Sequence, residues 1–135
     1  MSLEKNKTIV RSMYEIFNKH NPALLDKIIS PDYIDHTLQL RGLEQWKKTL
    51  TLLLKGFPDI HPTIEDIIAE RNMVWVHAKV TGIHTGECLG FAPTGKKMTF
   101  RYSSICRVVD GKIAARETVY DLLDLYNQLS YLFDY

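Results

Sequence analysis

Apolar residues recur along this chain at two different periods, and the change falls near residue 60. Ile9, Val10, Met13, Ile16 and Phe17 are spaced by three and four, which predicts an amphipathic helix over residues 4–19. Asn21 followed by Pro22 reads as an N-cap with proline at the first helical position. Leu24, Leu25, Ile28 and Ile29 then mark a short second helix, stopped by Ser30-Pro31. The run "PDYIDHT" reads as turn. Beyond Gly42, the positions Leu43, Trp46, Leu50, Leu53, Leu54 and Phe57 form a third apolar stripe, with Gly56 near its C-terminus and Pro58 beyond.

After Ile60 the period shortens toward two. "TIEDIIAE" and "MVWVHAKVTGIH" are β-rich segments joined by Arg71-Asn72. "KMTFRYSSICRVV" meets "KIAARETVY" across Asp110-Gly111, a strong hairpin signal. Four mostly antiparallel strands are therefore expected. The segment "GECLGFAPTG" reads as a loop between the second and third. Helical spacing returns at Leu122–Leu129, and the tail "SYLFDY" is apolar enough to dock. Helices first and strands afterwards predict an α+β fold, with helices on one face of a curved sheet that can wrap into a cone around a cavity.

Composition narrows the class. A chain of 135 residues at 45% hydrophobic content can bury the core of one domain, spanning residues 1–135. Seventeen basic and sixteen acidic side chains give a net charge of +1, and the only adjacent basic pairs are Lys47/Lys48 and Lys96/Lys97. Neither nucleic acid nor an anionic membrane surface is expected as a partner. No leader and no membrane-length apolar run is visible, so a cytoplasmic location is expected. Cys88 and Cys106 lack a CxxC spacing and are expected to be free thiols.

The stretch "KIAARETVYDLLDLYNQL" carries the candidate chemistry. Strict alternation along its strand half puts Ile113, Ala115, Glu117, Val119 and Asp121 on one side, and Lys112, Ala114, Arg116, Thr118 and Tyr120 on the other. Both acids thus fall on the less polar side. A carboxylate among apolar neighbours resists ionisation and becomes a proton acceptor or donor near neutral pH. Asp121 equally suits the N-cap of the terminal helix. Glu117 and Asp121 are about 13 Å apart along a strand at ~3.3 Å per residue, beyond the roughly 5–9.5 Å of a glycosidase pair.

Other constellations fall away. "GFAPTGKK" satisfies GxxxxGK, but Lys97 stands where Ser or Thr should bind magnesium, and the next residues alternate as a strand. His77 and His84 face opposite sides of one strand, and His20, His36 and His61 are scattered, so no metal site is expected. There is no GxSxG elbow and no Cys with an assignable His partner.

Three elements carry a family resemblance: Gly82-x-His84-x-Gly86, Pro93–Lys96 and Asp110–Ile113, together with "GFPDI" and "RVVDGKIAARETVYDLLDLYNQL". The chain resembles the SnoaL-like polyketide cyclase and ester cyclase group of the nuclear transport factor 2-like superfamily, from its first helix through Leu129. The resemblance implies a cone-shaped α+β barrel, usually a homodimer, whose outer sheet face would carry Arg116, Thr118 and Tyr120 as a contact surface. It also implies a cofactor-independent cyclase, or a related isomerase, that closes a ring in a polyketide-like ester by an intramolecular aldol reaction. Asp121 matches the family's general acid/base on the last strand. Tyr14, His36, Trp46, His84, Tyr102 and Glu117 are the expected substrate-binding residues around a hydrophobic cavity, with no metal or cofactor. Family members commonly have an acid and a tryptophan after the DGKI element; Ala115 and Glu117 stand here instead, which implies a larger and more polar pocket. The alternative is a non-catalytic module of the same fold that holds a small apolar ligand or a protein partner.

Overall fold

A computed structural model describes residues 2–87 and 92–128. Helix α1 spans Leu3–Asn18; the Ser2 hydroxyl caps it by accepting the Lys5 N–H, and Asn6, Val10, Met13 and Tyr14 form its buried face. A 3-10 helix at Pro22–Lys27 stands where the short second helix is expected, and Asn21 makes no side-chain capping bond. Strands β1 (Ile29–Asp35) and β2 (Leu40–Arg41) precede helix α2 (Leu43–Gly56). Four longer strands follow: β3 (His61–Glu70), β4 (Met73–Ile83), β5 (Lys97–Val109) and β6 (Lys112–Tyr120). Helix α3 covers Leu122–Gln128. The expected docking of "SYLFDY" and the free thiol at Cys88 fall outside the described residues.

The strands form one curved, open sheet in the order β2-β1-β6-β5-β4-β3. All neighbours are antiparallel except β1 and β6. The sheet thus has six strands rather than four. Ser30-Pro31 reads as a stop in the sequence, yet both residues lie within β1, where the register against β6 shifts between Ile29 and Ile34. Proline is tolerated at such an irregularity because its missing N–H breaks no regular ladder.

A second register shift corrects the reading of β6. Val109 pairs with Lys112 and Val108 with Ile113, but Arg107 then pairs with Ala115, leaving Ala114 as an additional residue. One inserted residue reverses every face beyond it. Ile113 is buried as expected. Past Ala114, however, Arg116 and Thr118 are buried and Tyr120 half-buried, while Glu117, Val119 and Asp121 are exposed. The outer face expected to show Arg116, Thr118 and Tyr120 instead presents Glu117 beside Ile105 and Trp75, and Val119 beside Ser103 and His77.

Helices α1 and α2 cover the inner face. Their Val10, Met13, Leu43, Trp46 and Leu50 join Val74, Val76, Ala78, Val80 and Val108 of the sheet in one core. Phe17 meets Trp46 edge to face at 6.5 Å and ties the two helices together. Among the described residues no helix is long and apolar enough to cross a membrane.

The end of α2 is clamped to the segment after β4. The Gly56 carbonyl accepts the N–H groups of Thr85 (3.1 Å) and Gly86 (3.0 Å). A Cβ at Gly86 would stand 2.1 Å from the Lys55 carbonyl oxygen, so only glycine allows this approach. The second part of the GxHxG element therefore has a packing reason. Gly111 is the contrasting case, with a positive φ of 77° in the β5–β6 turn and no atom within 4 Å of an added Cβ. Gly86→Ala should cost about 2 kcal/mol or more and lower Tm by several degrees. Gly111→Ala should cost about 1 kcal/mol. Equal Tm shifts in thermal melts of the two variants would contradict the clamp.

Candidate functional site

Alternation along β5 and the reversed alternation along β6 bring polar side chains together on the inner face of the sheet. Tyr102, Ser104 and Cys106 point inward from β5, Arg116 and Thr118 from β6, Tyr33 and Asp35 from β1, and Tyr14 joins them from α1. The hydroxyls of Tyr14 and Tyr102 are 2.6 Å apart. Arg116 donates its Nε–H to Ser104 Oγ at 2.7 Å and lies 5.5 Å from the centre of the Tyr102 ring. Ser104 and Thr118 hydroxyls are 3.1 Å apart.

Asp35 is the buried carboxyl group of the cluster. Its Oδ1 accepts the N–H groups of Thr37 (3.1 Å) and Leu38 (2.9 Å), and its Oδ2 accepts the Tyr33 hydroxyl (3.2 Å). These bonds fix the turn after β1. Thr37 then ties that turn to β6, giving its hydroxyl to the Thr118 carbonyl (2.9 Å) and accepting the Thr118 N–H (2.7 Å). No carboxylate oxygen lies within 4.0 Å of the Arg116 guanidinium among the described residues.

The electrostatics follow from burial. Loss of water pushes the phenols of Tyr14, Tyr33 and Tyr102 upward from their ordinary value, against the opposing pull of Arg116. Burial likewise raises the Cys106 thiol, and Arg116 again opposes it. Burial alone would draw Arg116 down, but Tyr14, Tyr102, Cys106 and Tyr33 around it more than compensate, so the guanidinium remains a cation.

Two grooves open beside the cluster. One, of about 350 Å³, lies between α1 and β3 and is lined by Tyr14, Asn18, Ile64 and Ile67 among others. The other, of about 320 Å³, opens mainly on the outer side of β4–β6 and is lined by His77, Arg101, Ser103, Val119 and Asp121 together with Tyr102 and Tyr120. Tyr14 thus borders the first groove and Tyr102 the second.

Of the residues singled out in the sequence, Tyr14 and Tyr102 are brought into contact, and Asp121 shares a groove with Tyr102. The expected burial of Asp121 among apolar neighbours is corrected: it is exposed because of the extra residue at Ala114. Its Oδ1 accepts the Asp124 N–H at 3.0 Å and caps α3, while Gln128 anchors the far end of that helix to both backbone groups of Thr99. Glu117 is exposed for the same reason, so the pair Ala115 and Glu117 does not enlarge the interior as expected. His36 is exposed on the turn, and Trp46 packs in the core. His84 is buried at the clamp, stacked 5.0 Å from Phe57 with its Nδ1 3.1 Å from Thr94 Oγ1.

Sequence reasoning missed Arg116, Asp35, Tyr33, Ser104 and Thr118. The alternation Tyr33-x-Asp35 was available as a signal once β1 is taken as a strand. For Arg116 no signal was available, since nothing in "KIAARETVY" announces the extra residue.

Comparison with known proteins adds a family. The model of the SnoaL-like polyketide cyclases matches residues 7–129. The aklanonic acid methyl ester cyclase DauD of Streptomyces sp. (strain C5) is 31% identical over 128 residues, covering 90% of this chain and 79% of that protein. Among solved structures, AclR from Streptomyces galilaeus, a candidate hydroxylase, superposes with a TM-score of 0.88 at 27% identity, covering 99% of this chain and 86% of the other. TsrD from Streptomyces laurentii shares the fold, with a TM-score of 0.90 at 22% identity, covering 98% and 99%.

The raised phenols set a sign for stability at high pH. Unfolded tyrosine ionises near pH 10, whereas Tyr14, Tyr33 and Tyr102 hold their protons to higher pH in the folded chain. Their contribution is fully present below about pH 10 and is lost as pH rises above it. Phenolate absorbance and circular dichroism recorded together should show these three of the seven tyrosines ionising only as the fold opens. Ionisation of all seven with native dichroism intact would contradict their burial.

Proposed function

Because the chain belongs to the SnoaL-like polyketide cyclase family, we propose that it closes a ring in a polyketide-like ester by an intramolecular aldol reaction, with Asp121 as the general acid/base. The observation that carries this reading is the Tyr14–Tyr102 hydroxyl pair, held at 2.6 Å on the inner face of the sheet. One of its two protons is consumed in the mutual bond. The other is free to be donated to a substrate oxygen.

In the proposed reaction, the Asp121 carboxylate takes a proton from a carbon flanked by carbonyl groups. The resulting enolate carbon attacks a ketone carbonyl of the same molecule, forming the carbon–carbon bond and sending the π electrons to that oxygen. The protonated carboxyl returns its proton to the new alkoxide. Product and substrate are isomers, and no oxidant or reductant is consumed. The substrate's own carbonyls spread the negative charge, and the free phenol proton stabilises the enolate oxygen in a poorly hydrated setting. Asp121 stands at the end of β6 in the groove it shares with Tyr102 and Tyr120, and its Oδ1 also caps α3, so the scheme requires the substrate to reach round the strand end to the phenol pair.

Aklanonic acid methyl ester, the substrate named for the relative DauD, is the first compound to assay. Ring closure leaves the mass unchanged and alters chromatographic retention. Asp121→Asn keeps a competent N-cap, so Tm should hold while turnover falls about 100-fold or more. Tyr102→Phe should lower turnover by about 100-fold as well. Turnover that survives Asp121→Asn within about threefold would remove Asp121 as the proton acceptor. Saturable binding of the ester with no isomer formed would favour the non-catalytic module.

A further inference from the structure

Arg116 has a place in the interior that ring closure by Asp121 and the phenol pair does not use. Its side chain is 8% exposed, its Nε–H is bonded to Ser104, and its guanidinium faces the Tyr102 ring. A guanidinium carries five N–H donors and cannot shed its charge; Nε–H goes to Ser104, and another donor lies close enough to the Tyr102 hydroxyl to oppose the rise of that phenol. The titratable groups facing it are Tyr14 of α1, Tyr33 and Asp35 of β1, and Tyr102 and Cys106 of β5. The four hydroxyl and thiol groups are neutral. Asp35 is already engaged by three donors and comes no closer than 4.0 Å.

A buried cation with no contacting carboxylate is costly, and the cost falls when a negative charge arrives nearby. We infer that the phenol pair on the inner face of the sheet takes its ligand as an anion, the enolate or phenolate of a polycarbonyl compound, and that Arg116 sets this preference through the Tyr102–Tyr14 hydroxyl pair. The route is short: the guanidinium lies 5.5 Å from the Tyr102 ring centre, and the Tyr102 hydroxyl is bonded to that of Tyr14. A positive charge beside a phenol strengthens it as a hydrogen-bond donor, most of all toward a negatively charged oxygen. The inference rests on the reading that the phenol pair meets the substrate oxygen. Arg116 is a positioning residue here, acting on the reacting oxygen through two others.

Benzoylacetone is a suitable probe, because its enol and enolate absorb at different wavelengths and it needs no turnover. With protein in excess, its apparent ionisation constant should rise at least about tenfold over the value in buffer. Arg116→Gln should reduce the rise to less than about threefold while dichroism stays native. Glu70→Gln, at the exposed end of β3, should leave the rise intact. Bound probe that ionises as it does in buffer, a probe that does not bind at all, or a full rise retained in Arg116→Gln would each overturn the inference. Should Arg116→Gln fail to fold, Tyr102→Phe decides the matter: loss of the rise supports the inference and full retention overturns it. A rise without ring closure in the ester assay would leave this inference standing and sink the cyclase, and ring closure without a rise would do the reverse.

Discussion

The interior of this protein depends on one additional residue in a strand. Ala114 has no partner in the β5–β6 register, and beyond it the faces of β6 are exchanged. Without that shift, Arg116 and Thr118 would point to solvent and Glu117 and Asp121 into the core. With it, a cation and a hydroxyl join Tyr14, Tyr33 and Tyr102 on the buried inner face, and the two acids leave it.

The polar cluster is tied together by short-range bonds rather than by ion pairs. Asp35 fixes the turn after β1, Thr37 carries that turn to β6, and Thr118 reaches Ser104, which receives the Arg116 Nε–H. A network satisfied in this way holds its geometry, because each hydroxyl is set by a neighbour that is itself bonded. Asp121 stands outside that chain of bonds, at the junction where β6 becomes α3. Its position lets one carboxylate serve as helix cap and groove lining at once.

The helices, the terminal helix and the hairpin at Asp110-Gly111 were legible in the sequence because each rests on local signals: apolar spacing, a cap or a turn dipeptide. Strand β1 was not, since Ser30-Pro31 carries a stop signal that the irregular pairing with β6 overrides. Parity named Ile113 correctly and failed four residues later, for a register shift is a property of two strands and leaves no mark on one. Tyr14 and Tyr102 were legible as candidates, but their contact spans α1 and β5 and could not be read from spacing. The family elements proved divided in role: Gly82, His84 and Gly86 serve the clamp around Phe57 and Gly56, whereas the DGKI element turns the chain into the strand that carries Arg116.

A cation buried beside the phenol pair makes the inner face favour a negatively charged ligand. Proton release on binding tests it most directly, measured by titration calorimetry of an enolisable 1,3-diketone in buffers of different ionisation enthalpy. At a pH midway between the ionisations of the free and the bound ligand, the tenfold or greater rise predicts release of about half a proton or more per ligand bound. Binding with no proton released, or with uptake, would contradict it.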